Sequence, residues 1–145
     1  MKIKGNVKLT TENKLTNEVQ IEEVHNVSCN VGMQSLASRL VGANRGQVTY
    51  LAVGTSTTTP SAVNTKLGAE TERKQISVRS SSGDTAYFRT FFNTSEANGE
   101  IKEIGLFGDE ASGEKDSGVL FARASVNKTK TNSETLTIDW SLTIS

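Results

Sequence analysis

The segment Thr135-Leu136-Thr137-Ile138-Asp139-Trp140-Ser141-Leu142-Thr143-Ile144 is the stretch on which the fold turns. Leu136, Ile138, Trp140, Leu142 and Ile144 alternate strictly with Thr135, Thr137, Asp139, Ser141 and Thr143. Successive side chains of a strand leave opposite faces, so one face here is wholly apolar and the other hydroxyl or acidic. Such a strand belongs to a sheet with one dry face.

Upstream, the same logic repeats in shorter form. Val119-Leu120-Phe121-Ala122 follows the polar loop Gly108 to Gly118, and Ile101, Ile104, Leu106 and Phe107 precede it. Ala97-Asn98-Gly99-Glu100 reads as a turn, because Asn-Gly tolerates the positive φ of tight connections. Ile76 and Val78, then Tyr87, Phe88, Phe91 and Phe92, mark two strands joined by the hairpin-type link Ser80 to Asp84. Phe88, Phe91, Phe92, Phe107, Phe121 and Trp140 are expected in the core. Val48 to Val53 is a β-rich run closed by Gly54, and the loop after it contains Pro60, which has no amide to donate to a ladder.

Only one segment changes period. Met33, Leu36, Ala37, Leu40 and Val41 fall on one helical stripe, with Ser28 or Asn30 available to cap the start and Gly42 to end it. Glu18 to Val27 has strand composition, although its alternation breaks at Glu22-Glu23. Residues 1–17 hold few apolar side chains and are expected to form an amino-terminal arm or edge strand, leaving 18–145 as a single domain. Short strands at roughly ten-residue spacing, with one short amino-proximal helix, predict a mainly β protein, an antiparallel β-sandwich of jelly-roll-like character. A doubly wound nucleotide-binding fold is disfavoured, since strands and long helices do not alternate.

Composition bounds the function. The chain has 145 residues, 34% of them apolar, with 16 Lys+Arg balanced by 16 Asp+Glu. One core fits that length, and a net charge of zero supplies no field to draw nucleic acid or an anionic membrane surface. No stretch approaches the roughly 20 apolar residues of a membrane helix, and Met1-Lys2-Ile3-Lys4 leads into Gly5-Asn6 rather than an apolar signal core. The reading is of a soluble, unprocessed protein. Its single cysteine, Cys29, cannot form an internal disulfide.

Candidate chemistry is sparse. His25 and Cys29 lie four apart, a spacing that would bring them together only on a helix, and the expected helix begins at or after Cys29. A metal there would need carboxylates or water to complete its shell. Asp109, Glu110, Glu114 and Asp116 lack the spacing of a calcium loop and enclose Lys115, which favours a solvated loop. Many carboxylate pairs could face each other across a cleft as glycoside hydrolysis requires, but spacing alone does not test them. Gly54 to Thr59 lacks the lysine and following helix of a phosphate-binding loop. Asn26-Val27-Ser28, Asn93-Thr94-Ser95 and Asn127-Lys128-Thr129 match the glycan-acceptor pattern, which is idle without a signal peptide. Lys128 and Lys130, alternating with Thr129 and Thr131, suggest an exposed edge guarded against strand pairing. Asn64 and Thr65 could cap a short helical turn that sets Glu70 and Arg73 as an i,i+3 pair. Gly105 suggests a bulge or a close backbone approach. No catalytic, cofactor-binding or metal residue is assigned.

Tyr50-Leu51-Ala52-Val53-Gly54-Thr55-Ser56-Thr57-Thr58-Thr59-Pro60, followed by Asn64-Thr65-Lys66-Leu67-Gly68-Ala69-Glu70 and Arg73, resembles a block carried by small structural proteins of tailed-bacteriophage virions. The resemblance extends to Asn26-Val27, Gly32 to Ala37, Glu96 to Phe107, Leu120 to Arg123, and Asn127 to Ser145, so it spans about residues 25 to 145. Ser56 stands where the family's second glycine usually lies, and Asn64 where an Asp is common. What the resemblance implies is a non-enzymatic virion component of the tail-fibre, baseplate, collar or other appendage type, with capsid decoration as an alternative. No cofactor is implied. The expected partners are other copies of the chain, as a homotrimer, and neighbouring virion proteins met through the arm before residue 20. A module that binds host-surface carbohydrate through exposed aromatics and hydroxyl-rich loops is the alternative of another class.

Overall fold

The computed structural model describes residues 2–145; Met1, the first residue of the expected arm, lies outside them. Among the described residues the order is β1 (Ile3–Asn13), β2 (Val19–His25), β3 (Val27–Ser28), α1 (Asn30–Leu40), β4 (Val48–Gly54), β5 (Glu70–Gln75), β6 (Val78–Ser82), β7 (Thr85–Phe92), β8 (Gly99–Gly108), β9 (Val119–Lys130) and β10 (Glu134–Ile144). Two antiparallel five-stranded sheets pack together. The first runs β2-β1-β10-β7-β6 and the second β3-β9-β8-β4-β5. The chain is an antiparallel β-sandwich with one short helix near its amino end, as the alternation of residues 135–144 requires.

The core lies between the sheets. Leu136, Ile138 and Trp140 of β10, Val7 and Leu9 of β1 and Phe92 of β7 meet Leu51, Val53, Ile104, Leu106 and Phe121 of the second sheet, each 0–1% exposed. At about 25 cal/mol per Å², fully burying each such side chain contributes roughly 1.5–3 kcal/mol. The Trp140 indole N–H is not stranded there: it donates to Asn26 Oδ1 at 2.9 Å.

The first strand corrects the expectation of an arm or edge. β1 lies inside the first sheet, laddered to β10 from Ile3↔Ile144 to Asn13↔Glu134 and to β2 on its other side. Its inward face is Gly5, Val7, Leu9 and Thr11, all buried. Gly5 and Thr11 occupy two core-facing positions without adding apolar character, so composition conceals a central strand. The expected boundary at residue 17 falls in the β1–β2 turn, where the Leu15 and Thr16 amides donate to Asn13 Oδ1.

The helix ends where expected and presents a different face. Gly42 takes φ +97°, and the Gly42 and Ala43 amides donate to Arg39 O and Ser38 O, closing the last turn. Its start is Cys29, with no side-chain cap from Ser28 or Asn30. The buried positions are Gly32 and Ser35, whereas Leu40 and Val41 are over four-fifths exposed. A Cβ at Gly32 would lie 2.6 Å from Phe121 Cα. The bare glycine therefore lets α1 lie directly on β9, and close approach decides its orientation instead of the apolar stripe.

Two further expectations change. Phe91 is 42% exposed on the outer face of the first sheet and is not core, because β7 alternates and Phe92 takes the inward position. Lys130 is 1% exposed, its ammonium donating to Asn98 Oδ1 at 2.7 Å and Asn93 O at 2.9 Å. Burial lowers its pKa, and the nearby carboxylates of Glu134, Glu72 and Glu96 partly offset that. It ties the β7–β8 loop to the end of β9; only Lys128 keeps an exposed bond, to Gln20 Oε1.

Candidate functional site

The outer face of the second sheet is covered by the loop of residues 55–69. Gly54 makes that possible, since a Cβ there would lie 2.5 Å from Ala69 O and 2.6 Å from Glu103 Oε2. The loop is held by one carboxylate. Glu103, fully buried on β8, accepts from the amides of Ser56 (2.8 Å), Gly68 (2.7 Å) and Ala69 (2.8 Å). Arg123 of β9, 2% exposed, donates to Glu103 Oε1 through Nε at 3.2 Å and Nη2 at 3.0 Å. The same guanidinium reaches Asn64 Oδ1 and Thr58 O, each at 3.0 Å. Leu67 fills the remaining space over Gly105, where an added Cβ would sit 2.9 Å from Leu67 Cδ2. That is the close approach the sequence suggested. The Val53-to-Arg73 block is thus a clamped strap with every polar anchor satisfied from within.

Glu70 and Arg73 do pair, but not on a helix. They lie on β5, where the register against β4 shifts between Val53 and Gly54. The extra residue of such a bulge turns both side chains to one side. Arg73 binds Glu70 through Nε–Oε2 at 2.7 Å and Nη2–Oε1 at 2.9 Å, both side chains at most 3% exposed. It lies 4.6 Å from the Phe107 ring centroid and donates to Ser117 O and Ser112 O. The 109–118 loop is therefore pinned to the sheet. At its other end Asp109, with a side chain 2% exposed, accepts from the Gly46 amide at 2.7 Å, the Gln47 amide at 3.2 Å and the Ser35 hydroxyl, and faces Arg45. Burial pushes the Asp109 carboxyl up, but Ser35, the two amides and Arg45 outweigh it and hold its pKa below the usual range. Among the described residues, no three His, Cys, Asp or Glu side chains group to hold a metal ion.

His25 and Cys29 are not brought together as a reactive pair. His25 is exposed at the end of β2, with Nδ1 3.4 Å from Gly5 O. Cys29 is fully buried, and burial pushes its thiol up to about 11, with Arg123 opposing. A thiol so held is a poor nucleophile near neutral pH.

By contrast, the outer face of the first sheet is open, with Val19, Ile21, Val78, Tyr87 and Phe91 exposed on it. Register places side chains there in transverse lines. Glu23, Lys8, Asp139 and Arg89 lie directly opposite one another across β2, β1, β10 and β7. Arg89 binds Asp139 at 2.6 Å. One step along the strands stand Ile21, Thr10, Thr137 and Phe91, and one step the other way His25, Asn6, Ser141 and Tyr87. Val19, Ile21, Val78, Tyr87 and Phe91, five of the ten large hydrophobic side chains exposed among the described residues, project from this face. A shallow groove of about 390 Å³, lined in part by Asn6, Ser80, Tyr87, Arg89 and Asp139, runs across it. The sequence hinted at this surface only through the hydroxyl-and-acid side of β10.

Comparison with protein-family models, with curated proteins and with solved structures gives no match to this chain.

Proposed function

We propose that this chain is a non-enzymatic structural component of a tailed-phage virion, a compact homo-oligomeric fitting of the tail, collar or baseplate. The observation that carries the reading is the open outer face of the first sheet, mixed in polarity and bearing half of the large apolar side chains exposed among the described residues. The apolar side chains stand in two groups, on β2 and on β6 and β7, and a partner spanning the face would bury both. Supporting it, the residues that resemble the virion proteins are spent on scaffold: the strap, its Glu103–Arg123 clamp and the Glu70–Arg73 pair use their polar atoms on one another. Docking through an arm before residue 20 is replaced in this reading, because β1 is needed inside the sheet. A tagged copy expressed during lytic growth is expected in gradient-purified particles at fixed stoichiometry; recovery only from the particle-free fraction would overturn the reading. Attachment at capsid rather than tail, seen by electron microscopy of the labelled particles, would convert it to a decoration protein.

A second reading draws on the groove beside Tyr87, where an aromatic ring stands among Asn6, Ser80, Ser141 and Asp139. Such a mixture suits a saccharide. Competable binding on a glycan array, lost in Tyr87→Ala, would favour this carbohydrate-binding role.

A further inference from the structure

We propose that the outer face of the first sheet is a self-complementary interface, joining two copies of this chain about a two-fold axis that runs parallel to the strands between β1 and β10. The inference deepens the self-assembly part of the function proposed above and does not depend on where the assembly resides. It starts from the transverse charge line. Glu23, Lys8, Asp139 and Arg89 are successive partners across the ladders, so the line reads minus, plus, minus, plus. A two-fold axis along the strands reverses left and right and keeps height. The facing copy then presents the line in reverse, with Arg89 over Glu23 and Asp139 over Lys8, each pair twice.

The neighbouring line obeys the same operation. Ile21 meets Phe91 of the second copy, and Thr10 meets Thr137, so the exposed apolar groups at opposite margins of the sheet cover each other. An in-plane axis perpendicular to the strands would instead set each charge against its own kind, which interfaces avoid. A trimer through this face would have to seat it on a different surface, whereas a patch that complements itself closes as a pair. The size is adequate. With the axis between β1 and β10, four strands overlap their mates and β6 overhangs; at about 4.8 Å apart and roughly nine residues of about 3.4 Å each, they give about 590 Å² per copy, or about 1,200 Å² in all. That lies at the lower end of the range of stable, specific interfaces.

Analytical ultracentrifugation of the full chain at micromolar concentrations is expected to give twice the single-chain mass. The variant Glu23→Lys/Asp139→Lys makes the line all basic, and Lys8→Glu/Arg89→Glu makes it all acidic. Each alone is expected to lose self-association by about tenfold or more, while an equimolar mixture regains the dimer as a hetero-pair. A second measurement stands apart from charge. Ile21→Cys/Phe91→Cys is expected to be joined into a covalent dimer by a short bis-maleimide, because facing sheets lie about 10 Å apart, too far for a direct disulfide but within reach of a short linker, whereas within one copy the two positions are three strand spacings, about 14 Å, apart. A wild type that stays monomeric or runs as a trimer, a mixture no heavier than its parts, or a Cys pair that never cross-links overturns the proposal. So does glycan binding by a monomer, which would give the face to a sugar. Absence from phage particles would sink the virion reading and leave the dimer standing; a monomeric wild type found in particles would do the reverse.

Discussion

Replacing Glu103 by Gln keeps the length of the side chain and removes its charge. Oε1 accepts from the Gly68 amide and twice from Arg123, and Oε2 accepts from the Ser56 and Ala69 amides. Whichever oxygen becomes the amide nitrogen then faces donors, and at least two hydrogen bonds are lost in a site with no exposure. Two charge-assisted bonds at about 1.5–3 kcal/mol each give roughly 3–6 kcal/mol. Breaking one side of a buried ion pair costs about 3–5 kcal/mol by independent measure. The two routes converge on about 4 kcal/mol, a large share of a domain's total of roughly 5–15 kcal/mol. For a chain of this length that lowers Tm by about 8–16 °C. Urea unfolding followed by Trp140, the chain's only tryptophan and 1% exposed, reads the loss directly. Trypsin cleavage after exposed Lys66 reports release of the strap separately. Glu100→Gln, on the exposed start of the same strand, should stay within about 0.5 kcal/mol. Glu103→Leu/Arg123→Leu should not recover stability, although apolar replacement of a buried pair is often neutral, because the Ser56, Gly68 and Ala69 amides still lack an acceptor. A loss below about 1 kcal/mol in Glu103→Gln, or a double variant as stable as wild type, would refute the clamp.

Asp109 supplies a pH dependence: its folded-state pKa is depressed, so its contribution is complete above the unfolded carboxylate value of about 3.9 and is lost as pH falls through the folded value. The gap in urea midpoint between wild type and Asp109→Asn should therefore close as pH is lowered below about 4; a gap unchanged to the lowest pH that keeps wild type folded would contradict this. Leu9→Ala should cost about 2–5 kcal/mol, and a chain lacking residues 2–13 should show no cooperative unfolding in circular dichroism, since β10 loses one of its two neighbours. A folded, cooperative truncate would restore the idea of a dispensable arm. Cys29 should resist a thiol reagent at pH 8 until denaturant is added, and immediate stoichiometric labelling of the native protein would show that its burial is wrong.

What could be read in advance follows from where the physics is local. Strand alternation in residues 135–144 and the stop at Gly42 depend on near neighbours, and both hold in the structure. β1 was hidden because Gly5 and Thr11 take core positions that a count of apolar residues passes over. The helix face was misread because Gly32, the residue that packs, has no side chain to enter the stripe. The clamp pairs residues twenty apart on neighbouring strands whose ladder shifts register between Ile101 and Glu103 and again between Leu106 and Phe107, so no spacing rule reaches it. One signal was available on one side alone: Arg123 between Ala122 and Ala124 is a lone charge inside an apolar run, whereas Glu103 stands beside Lys102 and three places after Glu100 and looks like part of a solvated stretch. Glu70 and Arg73 were matched for a helical reason, and the pair survives because a bulge supplies the same proximity on a strand.

The ladder between β1 and β10 also sets an order of events in time. At a synthesis rate of about 5–20 residues per second, Ile3 is made roughly 7–28 s before its partner Ile144. β10 lies between β1 and β7, so until it emerges the first sheet is two separate hairpins. The alternating charge line has Asp139 on β10 and is therefore incomplete on every nascent chain from which that strand has not emerged. A copy carries the surface proposed to join it only once β10 has emerged, which keeps shorter nascent chains from pairing early.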